Sequence, residues 1–297
     1  MRIYASLLIV LASATTAAAR DWYVDNVAGD DMKSGATAGT TGIVDGPVRT
    51  IAKALRHADR MDRIILANTG EPYRESISLV GRHSGTADHP FTIVGNGAIL
   101  DGQLPVPDEA WEFHRDDVFT FQPRRLSAAQ QLFFEGRPLV RGPGPTADSR
   151  LPQLGEKEWR YYGERIQFRP EKNRLPQSYG LTYAAAPVGI TLYQVINVRI
   201  EDVIVQGYQL DGINAHDSAF GVRLVGITAR GNGRSGISIG GASQATLEGC
   251  LVGDNGLAQV RTEGWSHTQI INCTLLEKTA PALDKTEHSQ VKEIEIE

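Results

Sequence analysis

The sequence predicts an all-β protein, a right-handed parallel β-helix of about 23–24 residues per coil with a short capping helix at its N-terminal side. Three observations predict it. A repeat of that length runs through the second half of the chain, its apolar residues align column by column, and Gly, Asn or Asp recurs at the corners between short strands.

From residue 188 the chain divides into four similar units, beginning "VGITLYQVINVRIEDVIVQGYQL", "GINAHDSAFGVRLVGITARGNGRS", "GISIGGASQATLEGCLVGDNGLA" and "QVRTEGWSHTQIINCTLLEKTAPA". Ile190, Ile213, Ile237 and Val260 form one column, and Ile200, Leu224, Leu247 and Ile270 a second. Val203, Ile227, Cys250 and Cys273 form a third, and Val205, Ala229, Val252 and Leu275 a fourth. Between matched positions apolar and polar residues alternate, as strands require. Corners fall at Gly207, Gly231-Asn232 and Asp254-Asn255. Such a unit cannot bury its apolar face alone, but units stacked about 4.8 Å apart turn each column into a continuous interior row. Cys250 and Cys273 are the only cysteines and share an inward column on neighbouring rungs, which reads as two buried thiols, with a rung-to-rung disulfide as the alternative.

Earlier elements follow in order. Residues 1–19 have Arg2, an apolar core from Ile3 to Leu11 and Ala17-Ala18-Ala19, the pattern of a cleaved export signal too short to span a bilayer. The mature protein is therefore expected to be secreted or periplasmic. A strand over residues 22–25 precedes a loop rich in Gly, Asp, Ser and Thr; Thr50 then caps an amphipathic helix marked by Ile51, Ala54, Leu55 and Ala58, and residues 64–67 return to strand. That helix would block the open edge of the first rung. Residues 20–102 thus form a cap and the first coils. Residues 103–187 break the repeat and concentrate Pro, Arg and aromatics: Trp111, Phe113, Phe119, Phe121, Phe133, Phe134, Trp159, Tyr161 and Tyr162. They either form their own small core or offer rings for stacking on sugars. Regular coils occupy 188–283, and 284–297 ends in "VKEIEIE", the alternation of a charged edge strand.

The motifs "YVD", "GDD", "SGAT", "GPVRTIAKAL" and "EPYRES" resemble the N-terminal signature of exported pectate-lyase-like β-helix proteins. Residues 84–102, "SGTADHPFTIVGNGAILDG", are similar to the segment that follows in polysaccharide lyases and related glycosidases, and "FFEGRPLVRGP" and "GEKEWRYYGERIQFRPE" resemble strands that bridge to the regular coils. The resemblance covers about 22–102 and 130–283. It implies an exported, carbohydrate-active protein that cleaves a polysaccharide by lyase or glycoside hydrolase chemistry, with calcium as the one candidate cofactor. The paired-Asp and Gly-His-Gly signatures of polygalacturonase-like hydrolases are absent, so a non-catalytic glycan-binding or surface scaffold β-helix is the alternative.

A formal net charge of −5 without Lys/Arg runs leaves no footprint for nucleic acid, and no segment has the length of a membrane span. A monomer acting on polysaccharide is expected. Inward residues build the core, so chemistry falls to outward ones. The strand opening each coil gives two outward columns, Thr191–Asn214–Ser238–Arg261 and Tyr193–His216–Gly240–Glu263, with Asp211 and Asp217 flanking the second strand. Gly240 and Gly241 leave a gap between His216 and Glu263, two rungs or roughly 9–10 Å apart along the backbone.

Asp211, His216, Asp217 and Glu263 are the candidate catalytic residues, and Tyr193, Asn214, Arg234 and Arg261 the candidate substrate ligands. Glu263 with Asp211 or Asp217 would be an acid/base pair of glycosidase type, and Arg234 and Arg261 would fork onto a uronate carboxylate. Each also has a structural reading. Asp211 before Gly212 suits a turn, His216-Asp217 a turn pair, and Glu263 a solvated surface carboxylate. Asp30-Asp31 either binds calcium or solvates its loop, and His267 has no evident partner.

Overall fold

A computed structural model describes residues 19–147 and 150–295. Apart from Ala19, the expected export signal lies outside the described residues. No helix among them is long and apolar enough to cross a membrane.

Alternating apolar residues and left-handed corners wind the chain into parallel rungs. The strands that open each coil stack in the order Ile77–Val80, Ile190–Tyr193, Asp211–His216, Ser235–Ile239, Ala258–Thr262 and Leu283–Lys285. A second stack runs from Asp21–Val24 through Arg63–Leu66, Phe91–Asp101, Val198–Gln206, Val222–Val225, Gln244–Glu248 and His267–Ile271 to Gln290–Ile294. Thr228–Arg230, Leu251–Gly253 and Thr274–Leu276 form the third face, continuing the far half of Val198–Gln206.

The register matches the repeat. Ile190, Ile213, Ile237 and Val260 are paired in succession, as are Ile200, Leu224, Leu247 and Ile270, and Val205, Ala229, Val252 and Leu275. Most of these side chains are wholly buried in one core, and each large aliphatic contributes about 1.5–3 kcal/mol by leaving water. At a corner, Asn232 donates its backbone N–H to Oδ1 of Asn255 at 2.9 Å, and Asn255 donates Nδ2 to the Ala229 carbonyl at 3.2 Å, which pairs polar backbone that the bend would otherwise strand. Cys250 and Cys273 are free thiols, and the Cys250 N–H approaches Sγ of Cys273 at 3.4 Å.

The capping helix is Ile51–His57, with Ile51, Ala54 and Leu55 buried against the first strands. Oγ1 of Thr50 accepts from the Lys53 N–H at 3.1 Å. The Glu75 carboxylate accepts from the Ile51 and Ala52 N–H groups, both at 2.9 Å, so the first-turn donors are satisfied. At the other end His83 joins the helix to the first rung. Its Nδ1 accepts from the Val80 N–H at 3.1 Å, which requires the proton on Nε2, and Nε2 donates to the Leu55 carbonyl at 2.9 Å.

Ile77–Val80 pairs directly with Ile190–Tyr193, and Phe91–Asp101 with Val198–Gln206. Residues 103–187 are thus an excursion from a solenoid whose rungs continue across it. The amides of Ala185 and Ala186 donate to the Gly102 carbonyl at 2.9 and 3.0 Å, so the segment returns to its point of departure. It folds into two four-stranded antiparallel sheets around Trp111, Phe121, Leu132, Trp159, Ile166 and Phe168. Of the two readings of its aromatics, the separate core prevails for most, and Phe113 and Tyr162 are the exposed rings. The excursion packs over the corner that precedes the first-strand face. The Gln209 amide donates to the Arg125 carbonyl, and the backbone at Gly233 meets Ala129 too closely for any side chain.

Candidate functional site

The outward surface of the first-strand ladder lies between the excursion and the turns that follow each strand. Strand register stacks Thr191, Asn214, Ser238, Arg261 and Asp284 in one outward row. The second row holds Tyr193 and His216, then Gly240 and Glu263, whose amides donate to the Ala215 and Ile239 carbonyls. A first side-chain carbon at Gly240 would lie 3.7 Å from Nδ1 of His216 and 3.5 Å from Oε1 of Glu263. Those two atoms are therefore no more than 7.2 Å apart, the two distances laid end to end, which is less than the backbone spacing alone suggests. The side chains of His216 and Glu263 lean toward one slot that Gly240 keeps clear.

The turns beyond the slot are tight. Asp217 and Ser218 have φ of 53° and 61°, and Gly241 packs on them so closely that a side-chain carbon there would sit 3.2 Å from Oδ1 of Asp217. The Asp217 carboxylate thus borders the same glycine pair as Glu263.

Asp211 is placed differently. It is wholly buried, and its oxygens accept from Nε of Arg234 at 2.9 Å, Nη2 of Arg234, Oγ of Ser235 at 2.6 Å and Nδ2 of Asn214 at 3.2 Å. A carboxylate sealed from solvent and saturated with donors anchors the strand entry, which takes Asp211 out of the acid/base pair expected for it. Arg234 and Asn214 share that duty. The fork onto Asp211 engages Nε and Nη2 of Arg234 and pushes its guanidinium above its ordinary range.

Arg261 is also engaged. Its Nε and Nη2 donate to Oε2 of Glu263 at 3.1 and 3.0 Å, and its Nη1 contacts Oδ2 of Asp284 at 3.0 Å. Oε2 of Glu263 is held while Oε1 faces the slot. Ser238, in the row between Asn214 and Arg261, has a buried hydroxyl without a partner among the described residues. Tyr193 stands exposed two rungs before Gly240, its hydroxyl accepting from the Gln194 amide at 3.3 Å.

With that geometry in view, comparisons place the fold. The family described as "Right handed beta helix region" matches residues 183–294. A solved structure described as "Glycoside hydrolase" is 13% identical and superposes with a TM-score of 0.61 over 86% of this chain and 73% of its own. The chain shares the right-handed parallel β-helix fold. The complex of XylC with xylose is 10% identical at a TM-score of 0.41, covering 92% of this chain and 70% of that one. The GH136 lacto-N-biosidase from Eubacterium ramulus is 9% identical at a TM-score of 0.27, covering 93% and 68%. No curated protein matches the chain in sequence.

One residue of this face escapes the sequence reading. Trp265 lies two residues after Glu263, its N–H donating to the Gly241 carbonyl at 2.8 Å, and it is 66% exposed. Its indole stacks on the His288 imidazole with centroids 4.5 Å apart. A single Trp in a turn carries no periodic signal; its position one turn past the slot is the only hint. Among the described residues no group of three or more His, Cys, Asp or Glu gathers as a metal-ligand set. Asp31 is spent on the helix approach, accepting from the Arg49 and Thr50 N–H groups, while Asp30 accepts from the Met32 N–H. His267 lies on a different face, in a trough lined by Arg199, Arg223 and Gln244.

Proposed function

We propose that the chain is a carbohydrate-active β-helix protein that cleaves a polysaccharide across the first-strand face at Gly240. The observation that carries this reading is the slot itself. Gly240 interrupts a row of side chains, and the gap is bracketed by an imidazole nitrogen and a free carboxylate oxygen within 7.2 Å of each other. Trp265 offers an aromatic surface at its rim, the kind of apolar plate on which a sugar ring packs. The fold shared with a solved glycoside hydrolase supports a sugar substrate.

Hydrolysis fits these groups better than elimination. Elimination beside a uronate needs a cation to neutralise the substrate carboxylate, and both arginines of this face are already held by internal carboxylates. In the hydrolytic reading Glu263, ion-paired with Arg261, works as base on the attacking water, and Asp217 or His216 donates the proton that the departing glycosidic oxygen takes up.

The test is a panel of neutral and uronic-acid polysaccharides, with and without Ca²⁺, read for reducing ends and for the ultraviolet absorbance of unsaturated uronate. Reducing ends alone, lost in Glu263→Gln and in one of Asp217→Asn or His216→Ala, is the expected result. Both signals rising would mean a lyase. Silence from folded protein across the panel would leave the glycan-binding scaffold.

A further inference from the structure

A second cleft lies on the opposite side of the excursion, between its Arg137–Pro138 strand and the third face of the solenoid. It encloses about 420 Å³, within the range of small-molecule sites, and it sits at a junction between two structural units where such sites concentrate. Phe133 and Pro138 form an apolar wall, Gly207 and Gly231 keep part of the lining bare, and Arg137, Arg230 and Lys278 enter from three separate segments.

The cleft is unbalanced in charge and in hydrogen bonding. Arg137 and Lys278 have no hydrogen-bond or ion-pair partner among the described residues, and the Arg230 side chain uses only Nε, donating to Oε1 of Gln206 at 2.9 Å. Asp254 is the single carboxylate in the lining. The nearby Asp101 is occupied, its oxygens accepting from the Gln103 N–H at 2.8 Å and the Gln206 amide at 3.1 Å.

Gln103 adds a further donor to the lining. The residue is 5% exposed and borders the cleft. Its Oε1 accepts from the Thr182 hydroxyl, yet its Nε2 has no acceptor among the described residues. This open amide donor joins three cationic donor groups around one space. In a chain of net charge −5, such a concentration of donors selects an acceptor-rich, negatively charged occupant.

We infer that this cleft binds an oxyanion carried on a sugar unit, a uronate carboxylate or a sulfate ester, at a site separate from the Gly240 slot. That the anion is sugar-borne rests on the carbohydrate reading above; that the site takes an anion rests on the cleft alone. Arg137 and Arg230 grip the oxyanion with their planar forks, Lys278 adds a point charge, and Nε2 of Gln103 donates from the wall.

The experiment is calorimetric titration of the full chain with a hyaluronan oligosaccharide (carboxylate only), a carrageenan oligosaccharide (sulfate ester), a malto-oligosaccharide (neutral) and inorganic sulfate. Binding of at least one charged sugar, weakened by added salt and at least tenfold weaker in Arg137→Ala/Lys278→Ala, supports the assignment. Both replaced side chains are exposed, and the charge-reversed Arg137→Glu/Lys278→Glu should abolish binding while circular dichroism stays unchanged. Equal affinity in wild type and the double variants overturns the site, and binding of inorganic sulfate alone overturns its sugar ligand. Cleavage plays no part in this readout, so a groove that proves inert leaves the result intact.

Discussion

Asp211 and Glu263 are both carboxylates on the first-strand face, but their surroundings give them opposite duties. Asp211 is sealed and saturated by Arg234, Ser235 and Asn214, whereas Glu263 keeps one oxygen open. Removing one member of a buried ion pair strands the other, so Arg234→Ala should cost about 3–5 kcal/mol in urea unfolding. Glu263→Gln should change stability by no more than about 0.5 kcal/mol while eliminating release of reducing ends. The reverse pattern would exchange the two roles. From the sequence Asp211 reads equally well as a turn residue or as a catalyst, because its decisive partner lies a full coil away and folds back onto it. Alternation reveals which way a side chain points, and that sufficed to put His216 and Glu263 on one row. It does not reveal which outward groups spend their charge on one another, as Arg261 does between Glu263 and Asp284.

Among the elements, the capping helix makes two predictions. Thr50→Ala removes an N-cap acceptor and should lower stability by about 1 kcal/mol in the same unfolding assay. His83, at the helix's other end, is buried, and burial holds its imidazole below its ordinary range; the hydrogen bond to the Leu55 carbonyl opposes this, neighbouring Arg82 lowers it further and Asp59 opposes. Below pH about 6.5, the ordinary value for histidine, the unfolded chain takes up a proton that the folded one resists. Stability is therefore complete above that pH and falls as pH drops through the lowered folded value. The unfolding midpoint should decline from about pH 7 to 5, and His83→Gln should flatten the decline. The helix was legible from Thr50 and the Ile51, Ala54, Leu55 spacing, but the clamp by Glu75 and His83 was not, since neither belongs to the helix or repeats along the chain. In the ladder, Gly240→Leu tests the slot. Its backbone is outside the left-handed region, and a first side-chain carbon there meets only ordinary contacts, so the variant should fold, show an unchanged melting temperature and lose cleavage.

For the molecule as a whole, the columns predicted from spacing are the core observed, because a stacked repeat converts sequence period directly into burial. The excursion was legible only as a break in that period; its sheets follow from antiparallel pairings that no repeat announces. The last rung also breaks a column. Register sets Glu293 opposite Ile270, where the preceding rungs carry Ile200, Leu224, Leu247 and Ile270 in turn. A carboxylate in that row makes the exposed edge a poor template for another chain. Glu293→Leu restores the apolar row and should promote concentration-dependent association in analytical sedimentation; a variant that sediments like wild type would assign that protection to other residues of the strand. The return of the excursion to Gly102 has a consequence of another kind. Because the cost of closing a loop grows only by about 0.6 kcal/mol for each doubling of its length, the solenoid is nearly indifferent to what is spliced at this point. Residue 102 is a natural graft port, at which unrelated modules can be exchanged while every rung keeps its place.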